Sequence, residues 1–168
     1  MLNERLNKRC PSARPIGTAV APSHYLCFKK RSVDGSGKAT LVSDGGLGQV
    51  GRGVLFEIAE DERDKLDQSE GKGYWRNDDF AVLRSDHDDH LTVSVYLAEI
   101  CCDGLVPYDW YRALVLAGAI QHQFPEQYIT ELRCVVVAPD PDPSRKGRQE
   151  ALRILECAGF GHLLDPGT

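Results

Sequence analysis

The run LDQSEGKGYW, residues 66–75, closes a stretch of helical character and places a carboxylate, Glu70, directly before Gly71. Glycine just past a helix is expected, because it alone turns the chain out of the helix without steric cost. A carboxylate there is not. The C-terminal end of a helix carries partial negative charge and disfavours an anion by roughly a few tenths of a kcal/mol or more. Held part-buried at such an end, a glutamate would give up and retake a proton readily, as a general acid/base must. The plain alternative is a surface glutamate that happens to precede a helix-ending glycine, and the residues alone leave both open.

Other chemistry has weaker support. Residues 46–51, GLGQVG, match the glycine pattern of dinucleotide sites, but that pattern needs a strand before it and a helix after it. Here an apolar strand-like run, GVLFEI, follows, which makes the glycines a turn. DGSGKA at 34–39 lacks both the leading glycine and the Ser or Thr of a phosphate loop. His87 and His90 in DHDDH have the side chains for a metal, yet nothing else in the sequence completes a ligand set, and a solvated hairpin tip is the simpler reading. There is no G-x-S-x-G elbow. Cys10, Cys27, Cys101, Cys102, Cys134 and Cys157 form no C-x-x-C pair, so they read as reduced structural thiols. No metal ligand set and no cofactor motif is proposed.

The elements that must position Glu70 follow from periodicity. After a short helical start at 2–9, residues 16–20 and 24–29 read as strands separated by an Ala-Pro-Ser turn. The glycine-rich stretch 33–53 reads as loop or strand-poor ribbon, 53–58 as a buried strand, and about 60–70 as the helix ending at Glu70. Strands are expected at 75–84 and 91–100, where Val93, Val95 and Leu97 alternate with polar residues at period two. Helices are expected at 108–123, 125 to about 137, and 148–158. Strands first and helices after predict an α+β fold, a small mixed or antiparallel β-sheet or barrel packed with helices. Residues 1–138 are expected to form one domain. The Pro-Asp run from Pro139 is a stiff linker to a C-terminal helix packed on that same domain, with Arg145, Lys146 and Arg148 as its solvated basic start.

The chain has 168 residues and a net charge of −5, which excludes the basic footprint that nucleic acid or an acidic membrane surface requires. No run approaches the roughly 20 apolar residues of a membrane span, and the polar start MLNERLNKRC lacks the apolar centre of a secretory signal. A cytoplasmic location is expected.

Four segments taken in order, RCPSARPIGTAVAPSHYLCFKKRS at 9–32, GRGVLFEIAEDERDKLDQSEGKGYWR at 51–76, VSVYLAE at 93–99 and VPYDWYRALVLAGAIQHQFPEQYITEL at 106–132, resemble the γ-glutamylcyclotransferase family. The L-D-x-x-E-G element is the most specific of them. The resemblance implies that Glu70 is the catalytic acid/base and that Tyr111, in the P-x-x-W-Y segment from Pro107, lines the substrate pocket, with Tyr74 and Tyr96 as further candidates for that wall. It also implies the reaction: a γ-glutamyl amine or γ-glutamyl amino acid gives 5-oxoproline and the free amine, without metal or cofactor. The substrate's α-amino group attacks its own γ-carbonyl, so proximity is built into the substrate. One carboxylate can serve both proton transfers. Such an enzyme is an amide-cleaving lyase or acyltransferase by type.

The family's Tyr-Gly-Ser-Asn cradle loop has no counterpart here. Met1 and Leu2 stand where that loop ends and are assigned to substrate binding on that ground alone. The expectation is of a chain without the first strand and its loop, either because the start was set too late or because the chain is a shortened relative. An unmatched sheet edge would favour pairing with a second copy, hence a homodimer. Two functions follow: cyclisation of a γ-glutamyl substrate, or non-catalytic binding of γ-glutamyl compounds or small carboxylates in the same pocket. Glutathione, γ-glutamyl dipeptides and other γ-glutamyl conjugates are not ranked by the residues.

Overall fold

In the computed structural model, which describes residues 1–86 and 89–164, the chain divides into two compact units, Arg9–Leu105 and Met1–Lys8 with Val106–Thr168. The first unit carries the strands. β1 (Arg14–Pro22), β4 (Val50–Glu57), β5 (Tyr74–Arg84) and β6 (His90–Ala98) make an antiparallel sheet in the order β4-β1-β5-β6, while β2 (His24–Arg31) and β3 (Gly37–Ser43) pair as a separate antiparallel ribbon. The ribbon packs β2 on β4 and β3 on β6, the two edges of the larger sheet. Period-two alternation sends Ala19, Ala21, Leu55, Phe80 and Val82 into one core, against which Leu41, Leu91, Val93, Val95 and Leu97 pack. The fold is α+β with antiparallel sheets, as the element order predicts.

The strand β3 corrects the expectation of a loop or strand-poor ribbon across 33–53. Its apolar alternation is too weak to stand out, and the turn before it supplies the register instead. Asp34 Oδ1 accepts hydrogen bonds from Ser36 N (2.9 Å) and Ser36 Oγ (2.6 Å), and Gly35 adopts φ 83°. Gly37 then lies so close to β2 that a Cβ would stand 2.2 Å from the Phe28 carbonyl oxygen. The glycines at 45, 46 and 48 do form a turn into β4, organised by Asp44, which accepts from Gly46 N (2.8 Å) and Gln49 N (2.6 Å).

Asp34 makes a pH-dependent contribution to stability. Burial opposes its charge, but the Ser36 hydroxyl and amide and the Lys38 ammonium outweigh burial and hold the carboxyl at about 2. The depressed value means the contribution is fully present above the unfolded carboxyl range near about pH 4 and is lost as pH falls towards about 2. Asp34→Asn is expected to cost about 1 kcal/mol at pH 7, allowing for solvent screening, and progressively less as pH falls through about 2. Urea titrations of both proteins across that range check this.

The second unit is helical: α1 (Asn3–Asn7), α3 (Asp109–Gln121), α4 (Glu126–Arg133), α5 (Lys146–Cys157) and a closing 3-10 turn, Gly161–Leu164. The helix α3 is its axis, buried on most of its faces and packed by α4 and α5. The helix α4 stops at Arg133, short of the expected 137. There the chain is drawn extended: Ala138 N donates to the Pro107 carbonyl and Asp109 N to the Ala138 carbonyl, both at 3.0 Å. Among the described residues no helix is long and apolar enough to cross a membrane.

Candidate functional site

Glu70 is the last residue of α2 (Arg63–Glu70), which follows a 3-10 turn, Glu60–Glu62, in the first unit. Three acidic residues at the start of this helical segment suit its positive end. The segment 9–13 runs alongside. At its far end Ser12 donates to Glu62 Oε2 through Oγ (2.6 Å) and N (3.0 Å), and its Oγ accepts from Ala59 N (2.8 Å). The Ser12 hydroxyl is the first cause that holds the Glu62 carboxyl below the usual range. Cys10 between them is fully buried, and burial pushes its thiol up.

At the near end, Arg9 Nη1 donates to Glu70 Oε1 at 2.7 Å, with the two side chains 24% and 16% exposed. The cation that a helix C-terminus calls for therefore arrives from another part of the chain. Glu70 Oε2 has no hydrogen-bond partner among the described residues. One carboxylate oxygen is anchored and the other is available to take a proton.

The helix is clamped to the sheet one turn earlier. Asp67, the aspartate of the L-D-x-x-E-G element, accepts from the Tyr96 hydroxyl and is paired with Arg76. The Tyr96 hydrogen bond, then Arg76, holds the Asp67 carboxyl below its ordinary range, while burial first and Asp67 second raise the Tyr96 phenol. Arg76 Nε continues to Asp78 (2.9 Å), which also accepts from Arg63 Nη2 and Ser94 Oγ, both at 2.6 Å. Tyr96 thus spends its hydroxyl on holding α2 in place. Tyr74 donates to the Ala39 carbonyl at 2.6 Å and presents its ring face to Lys30 Nζ, 4.9 Å from the centroid.

The turn after Glu70 is made by glycines. Gly71 has φ 75° and ψ 177°, a region essentially closed to other residues, with open space where a Cβ would stand. Gly71→Ala is therefore expected to cost about 1–3 kcal/mol through backbone strain alone, and to lower any Glu70-dependent rate by displacing the carboxylate. A denaturation midpoint measured beside the rate checks both.

The remaining candidates lie in the helical unit. Tyr111, in the first turn of α3, carries the Arg5 guanidinium over its ring at 5.5 Å and meets Trp110 edge-on at 5.9 Å. Leu2 is buried, and the backbone of Met1 and Leu2 runs so close to Gly118 that a Cβ there would stand 2.8 Å from Leu2 N. Burial and the nearby Arg5 pull the Met1 α-amino group down to about 6. Glu70, Tyr74 and Tyr96 thus share the strand-bearing unit, and Met1, Leu2 and Tyr111 share the helical one. His90 begins β6, whereas His87 lies outside the described residues. No group of three or more His, Cys, Asp or Glu able to hold a metal occurs among the described residues.

Arg9, Asp67 and Lys30 were not singled out by sequence reasoning. Asp67 lies inside the most specific motif, three residues before Glu70 and so on the same helix face, a signal that was there to be used. Arg9 and Lys30 left no comparable signal.

Residues 52–132 match the model of the AIG2-like family. No curated protein matches the chain. Among solved structures, one of a γ-glutamyl cyclotransferase superposes with a TM-score of 0.78 at 21% identity, covering 90% of this chain and 92% of that one. An uncharacterized protein from Homo sapiens superposes with a TM-score of 0.77, also at 21% identity, over the same shares. YkqA from Bacillus subtilis superposes with a TM-score of 0.62 at 18% identity over 80% of this chain and 49% of its own.

Proposed function

We propose that this chain, AIG2-like over residues 52–132 and built on the fold of a γ-glutamyl cyclotransferase, cyclises a γ-glutamyl amine or γ-glutamyl amino acid to 5-oxoproline and frees the amine. The observation that carries this reading is Glu70 at the end of α2, with Oε1 held by Arg9 at 2.7 Å and Oε2 unpaired among the described residues. Arg9 holds the carboxylate by one oxygen and leaves the other to accept a proton.

The substrate's α-ammonium first loses one proton to solvent water, giving the free amine. Its nitrogen then attacks the γ-carbonyl carbon, the carbonyl electrons move to oxygen, and Glu70 Oε2 takes the second proton from the attacking nitrogen. Collapse of the tetrahedral intermediate restores the carbonyl and breaks the bond to the departing nitrogen, to which Glu70 passes that proton. Glu70 ends as it began, a carboxylate on Arg9. Because attacking and attacked atoms belong to one molecule, orientation supplies much of the rate and the protein needs no nucleophile of its own. The paired oxygen fixes where the free one points, which is what a shuttle between two neighbouring nitrogens requires.

The test is product stoichiometry from γ-glutamyl dipeptides, γ-glutamyl-lysine and glutathione. Equal amounts of 5-oxoproline and amine are expected from at least one of them. Free glutamate in place of 5-oxoproline would replace cyclisation with hydrolysis. No turnover, with a melting temperature raised by the same compounds, would replace the enzyme with a binding protein.

A further inference from the structure

We propose that the ammonium of Lys30 receives the free α-carboxylate of the γ-glutamyl group, making Lys30 the residue that selects glutamyl conjugates over those lacking that carboxylate. The inference rests on the γ-glutamyl reading above.

Lys30 is 8% exposed on β2, sharing with buried Phe28 the inward face that a strand presents every second residue. Its ammonium makes no ion pair and no hydrogen bond among the described residues, and meets only the face of Tyr74. Its neighbours differ. Lys38, its cross-strand partner, is paired with Asp34, and Lys29 with Asp103. The other buried charged or polar side chains, Ser36, Thr40, Asp44, Glu62 and Arg112, each have a hydrogen bond. A buried charge without a counter-ion is costly, and a ring face replaces only part of what a carboxylate supplies. The site is thus built for an anion that the polypeptide does not provide.

Its place fits the substrate. Lys30 Cε lies 3.2 Å and Nζ 3.6 Å from where a Cβ on Gly73 would stand, so the ammonium abuts the glycine turn that begins at Glu70. In a γ-glutamyl group the α-carboxylate and the attacking nitrogen are bonded to the same carbon. A cation on that turn which holds the carboxylate keeps the nitrogen within the neighbourhood of the proton acceptor. Two cations beside the carboxylates of α2 are already engaged, Arg9 with Glu70 and Arg76 with Asp67 and Asp78.

The experiment compares the wild type with Lys30→Met, Lys30→Gln and Lys30→Arg. Calorimetry measures binding of 5-oxoproline and of 2-pyrrolidinone, the same ring without the carboxylate. Turnover is followed with γ-glutamyl and 4-aminobutyryl anilides, which differ by the same group. The wild type is expected to prefer the carboxylate-bearing member of each pair. Lys30→Met is expected to weaken 5-oxoproline binding by roughly 10- to 100-fold, the weight of one charged hydrogen bond, with 2-pyrrolidinone unchanged. The turnover loss should fall on KM for the γ-glutamyl compound and spare the 4-aminobutyryl one, with Lys30→Arg recovering part of it. A folded Lys30→Met or Lys30→Gln protein that keeps the wild-type preference would overturn the assignment, as would a wild type that binds both rings alike. Release that survives Glu70→Gln would instead remove the catalytic reading while leaving Lys30-dependent carboxylate binding intact, so the two failures are distinguishable.

Discussion

On the proposed reaction, replacing Glu70 with Gln is expected to lower 5-oxoproline release by about 10²- to 10⁴-fold, the range for loss of a positioned acid/base. The substitution isolates chemistry from architecture. Gln has nearly the same size, and its carbonyl oxygen can still accept from Arg9 Nη1, which lies 2.7 Å from Glu70 Oε1. What it lacks is the capacity to take and return a proton. The melting temperature should stay close to wild type and KM should change little, with the loss in kcat. A rate unchanged in a folded Glu70→Gln protein would remove Glu70 from the mechanism, and the proton carrier would have to be sought elsewhere. Steady-state release of 5-oxoproline, followed by chromatography, decides it.

Leu116→Ala gives the largest loss of stability. Leu116 lies in the middle of α3 and is 0% exposed. Truncation removes apolar contacts and leaves a cavity that a close-packed helix bundle cannot fill, at a cost of about 3 kcal/mol within a usual range of about 2–5. For a chain of this length that lowers the melting temperature by about 6–12 °C. The two tryptophans allow the loss to be localised. Trp110 is buried in the helical unit beside Asp140, to which its Nε1 donates at 2.9 Å, while Trp75 lies on β5. In a Trp75→Phe background, fluorescence reports Trp110 alone and should show the helical unit melting early. An unshifted Trp110 transition would contradict the packing of α3.

Much of the architecture could be read locally. The alternation of Val93, Val95 and Leu97 marks a strand because it puts one side of the chain in contact with apolar neighbours, and β6 (His90–Ala98) is that strand. The helix before Gly71 was legible through its ending, since few residues other than glycine accept the backbone angles found there. The strand β3 was not. Residues 37–43 carry little periodicity, and pairing with β2 depends on the Asp34–Ser36 turn and on a glycine small enough to lie against the Phe28 carbonyl. The helix α4 was overextended for a related reason. Its apolar pattern continues past Arg133, but hydrogen bonds between Ala138 and residues 107 and 109 take the backbone away.

The candidate site divides in the same way. Glu70 announced itself in the amino-acid order because its charge conflicts with the helix end it occupies, and helix, charge and glycine are all features of neighbours in the chain. The resolution of that conflict was hidden. Arg9 lies 61 residues away and reaches Glu70 only because Ser12 and Glu62 lay its segment along α2. Lys30 is the stronger case. In the run FKKRS it has the appearance of a solvated basic cluster, and its neighbours on either side do reach solvent or a surface carboxylate. Burial of the middle residue follows from the pleat of β2 and the irregular register between Cys27 and Lys30, which turn it against Tyr74. Short-range charge and periodicity could therefore single out Glu70, the proposed proton carrier. Which cation pairs with it, and which is buried without a counter-ion among the described residues, depended on segments that meet only when the sheets form, because ion pairing and desolvation act through space and not along the chain.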